Sequence, residues 1–116
     1  MKQSAAALLI PEEIRNKDNG CNTYVYFMQS GGYIKIGFSQ NVNKRLESIQ
    51  TGHPNKVKIK YKFKGGKHIE KFLHQTFKHK RSYGEWFHWC EEIEDFVKGQ
   101  RLVEPMEIHK EIIPLM

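Results

Sequence analysis

The stretch "GGYIKIGFSQNVNKRLESIQTG", residues 31–52, places a short β-rich run directly before an amphipathic segment. In its second half, apolar residues recur at i, i+4 and i+7, which predicts a helix with these positions on one face: Val42, Leu46 and Ile49. Ser39 can cap this helix and Gly52 can end it. The first half, "YIKIG", follows "TYVYFM" across "QSGG", which is a hairpin signal. The stretch therefore predicts a β-hairpin followed by a helix.

Four further segments complete the expected fold. "NKVKIKYKFKGG" alternates strictly and predicts a third strand, while "KHIEKFLHQTFKHKR" and "CEEIEDFVKG" have helical periodicity and "IPEEIRNKDNG" suits a short helix. We expect an α/β (α+β) domain with a three-stranded, mainly antiparallel sheet flanked by helices. The domain should span residues 23–99, between an N-terminal helical extension, 1–22, and a C-terminal tail, 100–116, whose role the sequence does not assign.

Length and composition indicate one domain inside the cell. A chain of 116 residues is long enough to bury a single core. It has no apolar run near the ~20 residues of a membrane span, and "AAALLI" lacks the pattern of a secretory signal, so we expect a cytoplasmic protein. Cys21 and Cys90 have no zinc-like spacing and are expected to be free thiols.

Positive charge is concentrated in the middle of the chain. Residues 35–81 contain thirteen Lys and Arg against two acids, a net charge of +11, whereas residues 82–116 carry −5. Such a field favours a polyanionic partner, because cationic side chains neutralise phosphates and release counterions. Nucleic acid is the expected partner, although many solvated protein faces are simply rich in lysine.

Strand alternation separates an apolar sheet face from an aromatic and basic one. The apolar face should carry Val25, Phe27, Ile34, Ile36, Val57, Ile59, Tyr61 and Phe63. The opposite face should carry Tyr24, Tyr26, Tyr33, Lys35, Lys58, Lys60 and Lys62. Lysines two apart on a strand are roughly 6.5–7 Å apart, comparable with successive phosphates, so the third strand could follow a nucleic-acid backbone. The alternative is an edge strand that lysines protect from aggregation.

The order of several short motifs carries a family resemblance. "YVY", a hairpin, "KIG", Arg45 eight residues after Gly37, "HIEKFLHQTF" and "GEWF" follow one another within residues 23–88. This ordered set resembles the GIY-YIG nuclease superfamily, in particular its phage and bacterial subgroup of small domains with a K-I-G second motif. The resemblance implies a nuclease fold and DNA as the substrate.

The resemblance also implies roles for particular residues. Tyr26 stands where the family's tyrosine activates or orients water, and Lys35 stands at the tyrosine of the second motif. Arg45 matches the arginine that contacts the scissile phosphate, and Glu70 matches the metal-binding carboxylate.

Other positions depart from the family pattern. Tyr24 replaces the glycine of the first motif, and Tyr24 and His74 are candidates for supporting contacts around the site. The late asparagine of the family has no clear counterpart, and Glu85 is only loosely placed.

The chemistry of phosphodiester hydrolysis suits these residue types. A carboxylate-bound Mg²⁺ or Mn²⁺ can stabilise the phosphoryl oxygens and the leaving oxygen. A tyrosine base needs about 2.7 kcal/mol of preferential phenolate stabilisation to lower its pKa by about two units. Lys35, on an adjacent strand, is one candidate for this stabilisation, while Arg45 can fork a phosphate.

The expected function is that of a divalent-metal-dependent DNA endonuclease, which requires Tyr26, Arg45 and Glu70 to converge. Arg81, placed near the helical meridian of Glu70, joins the third-strand lysines as a nucleic-acid contact, and Trp86 and Phe87 are expected to close the core rather than stack on bases. A non-cleaving binding module would need only the lysines. An adaptor would use the acidic last helix and the apolar tail, and that C-terminal region could also bind a protein partner or a second copy.

Overall fold

The computed structural model describes residues 10–103, with side chains through residue 100. Contacts divide the chain into two compact units, one of residues 10–89 and one whose described part is residues 90–103. Most of the expected C-terminal tail, with the partner or dimerisation role considered for it, and the start of the N-terminal extension lie outside the described residues. Within the described part, no helix is long and apolar enough to cross a membrane.

Five antiparallel strands form one sheet. The elements in chain order are α1 (Glu12–Lys17), β1 (Tyr24–Ser30), β2 (Tyr33–Ser39), α2 (Val42–Thr51), β3 (Lys58–Lys64), α3 (Lys67–Thr76), a 3-10 turn (Lys78–Lys80), β4 (Arg81–Tyr83), β5 (Trp86–His88) and α4 (Glu91–Val103). The sheet order is β3-β1-β2-β5-β4. The expectation of three strands is wrong, although the expected α+β class is compatible with the observed sheet and helices. The two added strands have three residues each, too few to show an alternation in sequence.

Helix α2 begins one turn after β2 ends. The side chain of Asn41 accepts a hydrogen bond from the Lys44 amide at 3.0 Å, so Asn41 is the cap, not Ser39. Ser39 supports the cap instead, because its Oγ accepts a hydrogen bond from the Asn41 amide at 3.1 Å. Gly52 ends the helix as expected.

Helix α3 is capped from the N-terminal extension. Asp18, just after α1, accepts hydrogen bonds at 2.9 Å from the amides of Gly66 and Ile69 and contacts the His68 Nδ1 at 2.9 Å. Burial alone would raise the pKa of Asp18, but these hydrogen bonds outweigh it and hold the pKa below its ordinary value. The extension therefore fixes where α3 starts.

A β-bulge changes which residues of β3 share a face. The register runs Tyr26↔Lys62 and Phe27↔Tyr61, then shifts so that Met28 faces Ile59, with Lys60 as the extra residue. Val57 and Ile59 consequently join the Tyr26 face rather than the apolar face expected for them. That face is covered by α2 in a cluster of these residues: Tyr26, Met28, Val42, Val57, Tyr24, Leu46, Ile49 and Ile59.

Helix α3 lies against the other sheet face. A Cβ at Gly65, before the helix, would lie 2.9 Å from Ile69 Cδ1 and 3.0 Å from Val25 Cγ2, so helix and strand meet closely there. The His74 ring lies 5.1 Å from the ring of Phe87, which pairs with Ile34 in the sheet. The helices α2 and α3 thus sandwich the sheet and approach the same end of β2 from its two sides.

Candidate active site

Tyr26 is a buried phenol in the middle of the sheet, 1% exposed and paired with Gly37. A Cβ on Gly37 would lie 2.5 Å from the Tyr26 hydroxyl and 2.7 Å from its Cζ, closer than real Cβ atoms approach. The glycine of the "KIG" motif is therefore what lets the phenol lie across β2. This contact gives the motif a physical reason.

Glu85 lies over the same glycine. Its Oε1 would be 3.3 Å from a Gly37 Cβ, and its backbone oxygen accepts a hydrogen bond from the Ile36 amide at 3.1 Å. The preceding residue, Gly84, has φ +57°, a conformation that favours glycine and turns the β4–β5 hairpin. Glu85 thus belongs to the site, although the sequence placed it only loosely. In the sequence, the glycine turn "YGE" is the signal that could indicate the position of Glu85.

Glu70 on α3 and Glu85 form a carboxyl pair. Burial raises the pKa of Glu70 to about 7, and the neighbouring Glu85 carboxylate, which shares a hydrogen bond with protonated Glu70, adds to the rise. Lys35 acts in the opposite direction and lies 3.0 Å from the Glu85 Oε1 through its Nζ. The site therefore holds two acids together with one ammonium group.

The phenol of Tyr26 responds to this charge cluster. The pKa of Tyr26 is raised to about 12, chiefly by burial and also by the Glu85 and Glu70 carboxylates, while Arg45 acts to lower it. The hypothesis that Lys35 lowers this pKa is wrong, because the ammonium pairs with Glu85 and the opposing cation is Arg45. Lys35 does share the Tyr26 face as expected, since it pairs with Met28 in the sheet.

Arg45 reaches the site from the opposite side to Glu70. It is an exposed residue in the first turn of α2, where the Asn41 carbonyl accepts its amide hydrogen bond. Residues of α2 pack against Tyr26, and the positive charge of Arg45 lowers the pKa of the phenol. The charges of Arg45 and Glu70 thus both act on the Tyr26 phenol.

His74 orders the site without facing a metal. Its Nε2 lies 2.8 Å from the Ile36 carbonyl oxygen, and because a carbonyl can accept but not donate, this nitrogen carries a proton. The same nitrogen is 3.8 Å from the Glu70 Oε2. A protonated nitrogen cannot ligate a cation, so His74 positions α3 and Glu70 against β2.

The donor set of Glu70 and Glu85 fits a hard divalent cation. Two carboxylates held close enough to raise a pKa to about 7 are relieved when a cation neutralises both. Among the described residues there is no group of three or more His, Cys, Asp or Glu side chains suited to a metal. Water and phosphate oxygens would have to complete the coordination, which Mg²⁺ commonly accepts.

A basic groove of about 520 Å³ leads away from Glu70 along the exposed face of α3. Its lining follows helical spacing and then continues into β4: Lys67, Lys71, His74, Lys78 and Arg81. The helix ends at Thr76, so Arg81 does not share its meridian as expected. It nevertheless joins the groove from β4, with its Nε donating to the Gly84 carbonyl at 2.8 Å.

The expected lysine row on β3 does not share one face. Lys62 pairs with Tyr26 and Lys58 with Gln29, and because these partners lie three residues apart on β1, the two lysines point to opposite faces. The Nζ of Lys60 lies 5.7 Å from the centroid of the Trp89 ring. β3 is an edge strand, as the alternative interpretation requires.

Tyr24 supports the fold beside the site. Its ring packs on the α2 cluster and lies under the ammonium groups of Lys62 and Lys64, at 5.4 and 5.3 Å from the ring centroid. These contacts hold the start of β1 against the end of β3.

Comparison with known proteins identifies a matching domain family. No curated protein and no solved structure matches the chain significantly. Residues 23–103 match the model of the T5orf172 domain, which covers the sheet, the carboxyl pair and the helix that follows. This match spans more than two-thirds of the sequence, and the chain therefore belongs to the T5orf172 domain family.

Proposed function

We propose that this protein is a divalent-metal-dependent endonuclease that hydrolyses DNA phosphodiester bonds, with a site of the GIY-YIG type. The observation that carries the proposal is the electrostatic convergence of Arg45, Glu70 and Glu85 on the Tyr26 phenol. A binding module needs no buried phenol whose pKa responds to a guanidinium and to two carboxylates. The ordered motifs that resemble the GIY-YIG superfamily support the same activity.

Each residue has a distinct part in the proposed reaction. Tyr26, as phenolate, takes a proton from the water that attacks phosphorus, and Arg45 hydrogen-bonds to the phosphoryl oxygens as the negative charge develops. Glu70 and Glu85 would hold Mg²⁺ or Mn²⁺, which supplies charge stabilisation to the phosphoryl and leaving oxygens when bound. The bond between phosphorus and the leaving oxygen then breaks.

Lys35 and His74 support these groups through their contacts. Lys35 neutralises part of the charge on Glu85 at 3.0 Å, so the two carboxyl groups can stay together when both are ionised. His74 is tied to the Ile36 carbonyl and keeps Glu70 at the end of β2. Both are therefore positioning residues.

The approach to the site suits a polyanion. The groove beside Glu70 has exposed lysines at positions 67 and 71, one helical turn apart on α3, and at position 78, in the 3-10 turn that follows the helix. Cations in such a row can neutralise successive phosphates of one strand. A DNA strand lying along α3 would bring a phosphate to the carboxyl pair.

The direct test is cleavage of plasmid and branched DNA with and without Mg²⁺ or Mn²⁺. Wild type should cut only with the cation, and Glu70→Gln should abolish cutting while keeping DNA binding, because an amide lacks the charge that a hard cation requires. Glu47→Gln makes the same change on the exposed surface of α2 and should leave cutting unchanged. DNA binding without any cation-dependent cutting by wild type would instead support the binding module.

A further inference from the structure

Beside the carboxyl pair lies a second cleft, of about 380 Å³, that the proposed hydrolysis does not use. It lies between the loop after α2 and the strands β2, β4 and β5. The largest groups in its lining are the aromatic rings of Tyr33, His53, Tyr83 and Trp86, and Ser30 also contributes to it. Its volume falls within the range of small-ligand sites, roughly 300–1,000 Å³.

The aromatic side chains of this cleft are unusually open to solvent. Tyr33 and Tyr83, 45% and 73% exposed, are the exposed large hydrophobic side chains of the described residues. Of the two residues expected to close the core, Phe87 is fully buried and Trp86 only partly, with its ring tilted against that of His53 at 5.2 Å between centroids. Flat rings that are open to solvent on two sides of a cleft suit a flat aromatic ligand.

A buried hydroxyl in the cleft lacks a partner. Ser30 is 4% exposed, and among the described residues nothing hydrogen-bonds to its Oγ. Leaving such a group unpaired away from water costs about 1–3 kcal/mol. The cleft therefore has exposed rings at its surface and an unpaired hydroxyl beneath them, and a ligand with a flat ring would stack on the rings.

Lys35 joins this cleft to the candidate active site. Its Nζ lies 5.7 Å from the centroid of the Trp86 ring and 3.0 Å from the Glu85 Oε1. Trp86 directly follows Glu85 in the chain. A nucleotide whose phosphate lay at the carboxyl pair could therefore place a base on Trp86 with no intervening element.

We propose that the cleft holds one unpaired nucleobase of the strand whose phosphate occupies the carboxyl pair. This inference rests on the proposed function and adds the substrate class, which is single-stranded nucleic acid or duplex with an unpaired base at a branch, loop or flap. Bases within an intact duplex are stacked and paired, and extruding one costs a few kcal/mol. An already unpaired base avoids this cost, so the cleft selects for it.

The test measures binding without cleavage, in EDTA, by fluorescence anisotropy. The probes are a labelled single strand, its perfect duplex, and the same duplex with one unpaired 2-aminopurine, whose fluorescence reports stacking. Wild type should prefer the probes with unpaired bases to the perfect duplex and should quench the 2-aminopurine. Tyr83→Ala should weaken binding to these probes about tenfold and remove the quenching, as expected for one lost base–aromatic stack. Its affinity for perfect duplex should not change.

Two further variants separate stacking from a structural effect. Tyr83→Phe keeps the ring and should retain the preference. Ser30→Ala should raise the melting temperature, because it removes an unpaired buried hydroxyl, and should leave the preference for unpaired bases intact. Equal wild-type affinity for all three probes, or a preference that Tyr83→Ala leaves intact, would overturn the nucleobase site and leave the endonuclease proposal standing. Loss of binding to every probe by wild type would overturn both.

Discussion

Glu70 on α3 and Glu85 on the β4–β5 turn hold their carboxyl groups close enough to share a hydrogen bond, beside a phenol that is 1% exposed. Two acids with the pKa of one raised to about 7 destabilise the fold once both are ionised. Such an arrangement is typical of functional sites, because a stable core gains nothing from paired carboxylates. The pair therefore links folding, proton binding and cation binding.

We expect stability to fall with pH as Glu70 loses its proton. Because the folded-state pKa is raised, the contribution is fully present below the unfolded value near 4.5 and is lost as pH rises to about 7. Glu70→Gln should increase the free energy of unfolding by about 1–2 kcal/mol at pH 8, after allowance for partial solvation, and have little effect at pH 4. Chemical denaturation across this range measures it.

Added Mg²⁺ provides the control for this effect. The cation should stabilise wild type at pH 8 and leave the Glu70→Gln protein unchanged, since binding to the folded state alone raises stability. Equal destabilisation of wild type and variant between pH 4 and pH 8 would contradict the carboxyl pair as the cause.

Replacing Lys35 with Met should act on the carboxyl pair rather than on the phenol. Lys35 lowers the pKa of Glu70, so Lys35→Met should raise it above about 7 and shift the pH midpoint of Mg²⁺ binding upward. The ultraviolet titration of Tyr26 should stay in place. Calorimetric Mg²⁺ titrations from pH 6 to pH 9 measure the pH midpoint of Mg²⁺ binding. An unchanged midpoint would show that Lys35 does not act on the carboxyl pair.

The sequence predicts the strands and helices that are long enough to show a full period of alternation or of helical spacing. β1, β2, β3, α2 and α3 each contain enough residues for alternation or helical spacing to show. The bulge at Lys60 could not be predicted in this way, because it arises from pairing with β1 and leaves the strict alternation of β3 unbroken. That single extra residue put Lys58 and Lys62 on opposite faces.

The sequence predicts only part of the candidate site, because one of its residues depends on a contact between distant parts of the chain. Tyr26, Arg45 and Glu70 occupy motifs that carry their own signal, and the charges of Arg45 and Glu70 both act on the Tyr26 phenol. Glu85 becomes important only because the hairpin of β4 and β5 folds it over Gly37, a contact between distant parts of the chain. The same distance explains why the sequence predicts an effect of Lys35 on Tyr26, since the ion pair between Lys35 and Glu85 depends on this hairpin.

Tyr26 should give the cleavage reaction an alkaline dependence. With the pKa of the phenol at about 12, the phenolate fraction is small at neutral pH and grows tenfold with each pH unit. The cleavage rate in saturating Mg²⁺ should therefore keep rising above pH 7, after Glu70 has ionised. Tyr26→Phe should reduce the rate by roughly 10²-fold or more and flatten this rise. Normal cutting by Tyr26→Phe would require a different base.

Gly37→Ala tests the close contact between β2 and the phenol. The new Cβ would lie 2.5 Å from the Tyr26 hydroxyl in a buried layer, so the ring or the strand must move, at a cost of about 1–3 kcal/mol. Gly32→Ala is the matched control, because no atom lies within 4 Å of a Cβ there. Thermal unfolding of both variants should show a large decrease for Gly37→Ala and little change for Gly32→Ala. Equal melting temperatures would contradict the described packing.

The path of DNA can be located by removing equal charge from two places. Lys67, Lys71 and Lys78 line the groove that leads from Glu70, whereas Lys58, Lys60 and Lys62 are divided between sheet faces by the bulge. Changing the first set to Gln should weaken DNA binding similarly for unrelated sequences and reduce the slope of log affinity against log salt by up to about 2–3, since each phosphate contact contributes about 0.9. The second set should reduce the slope by less, although it removes the same charge. A larger effect of the β3 set would place the DNA along the edge strand and away from α3, and equal effects would indicate general charge attraction without a defined path.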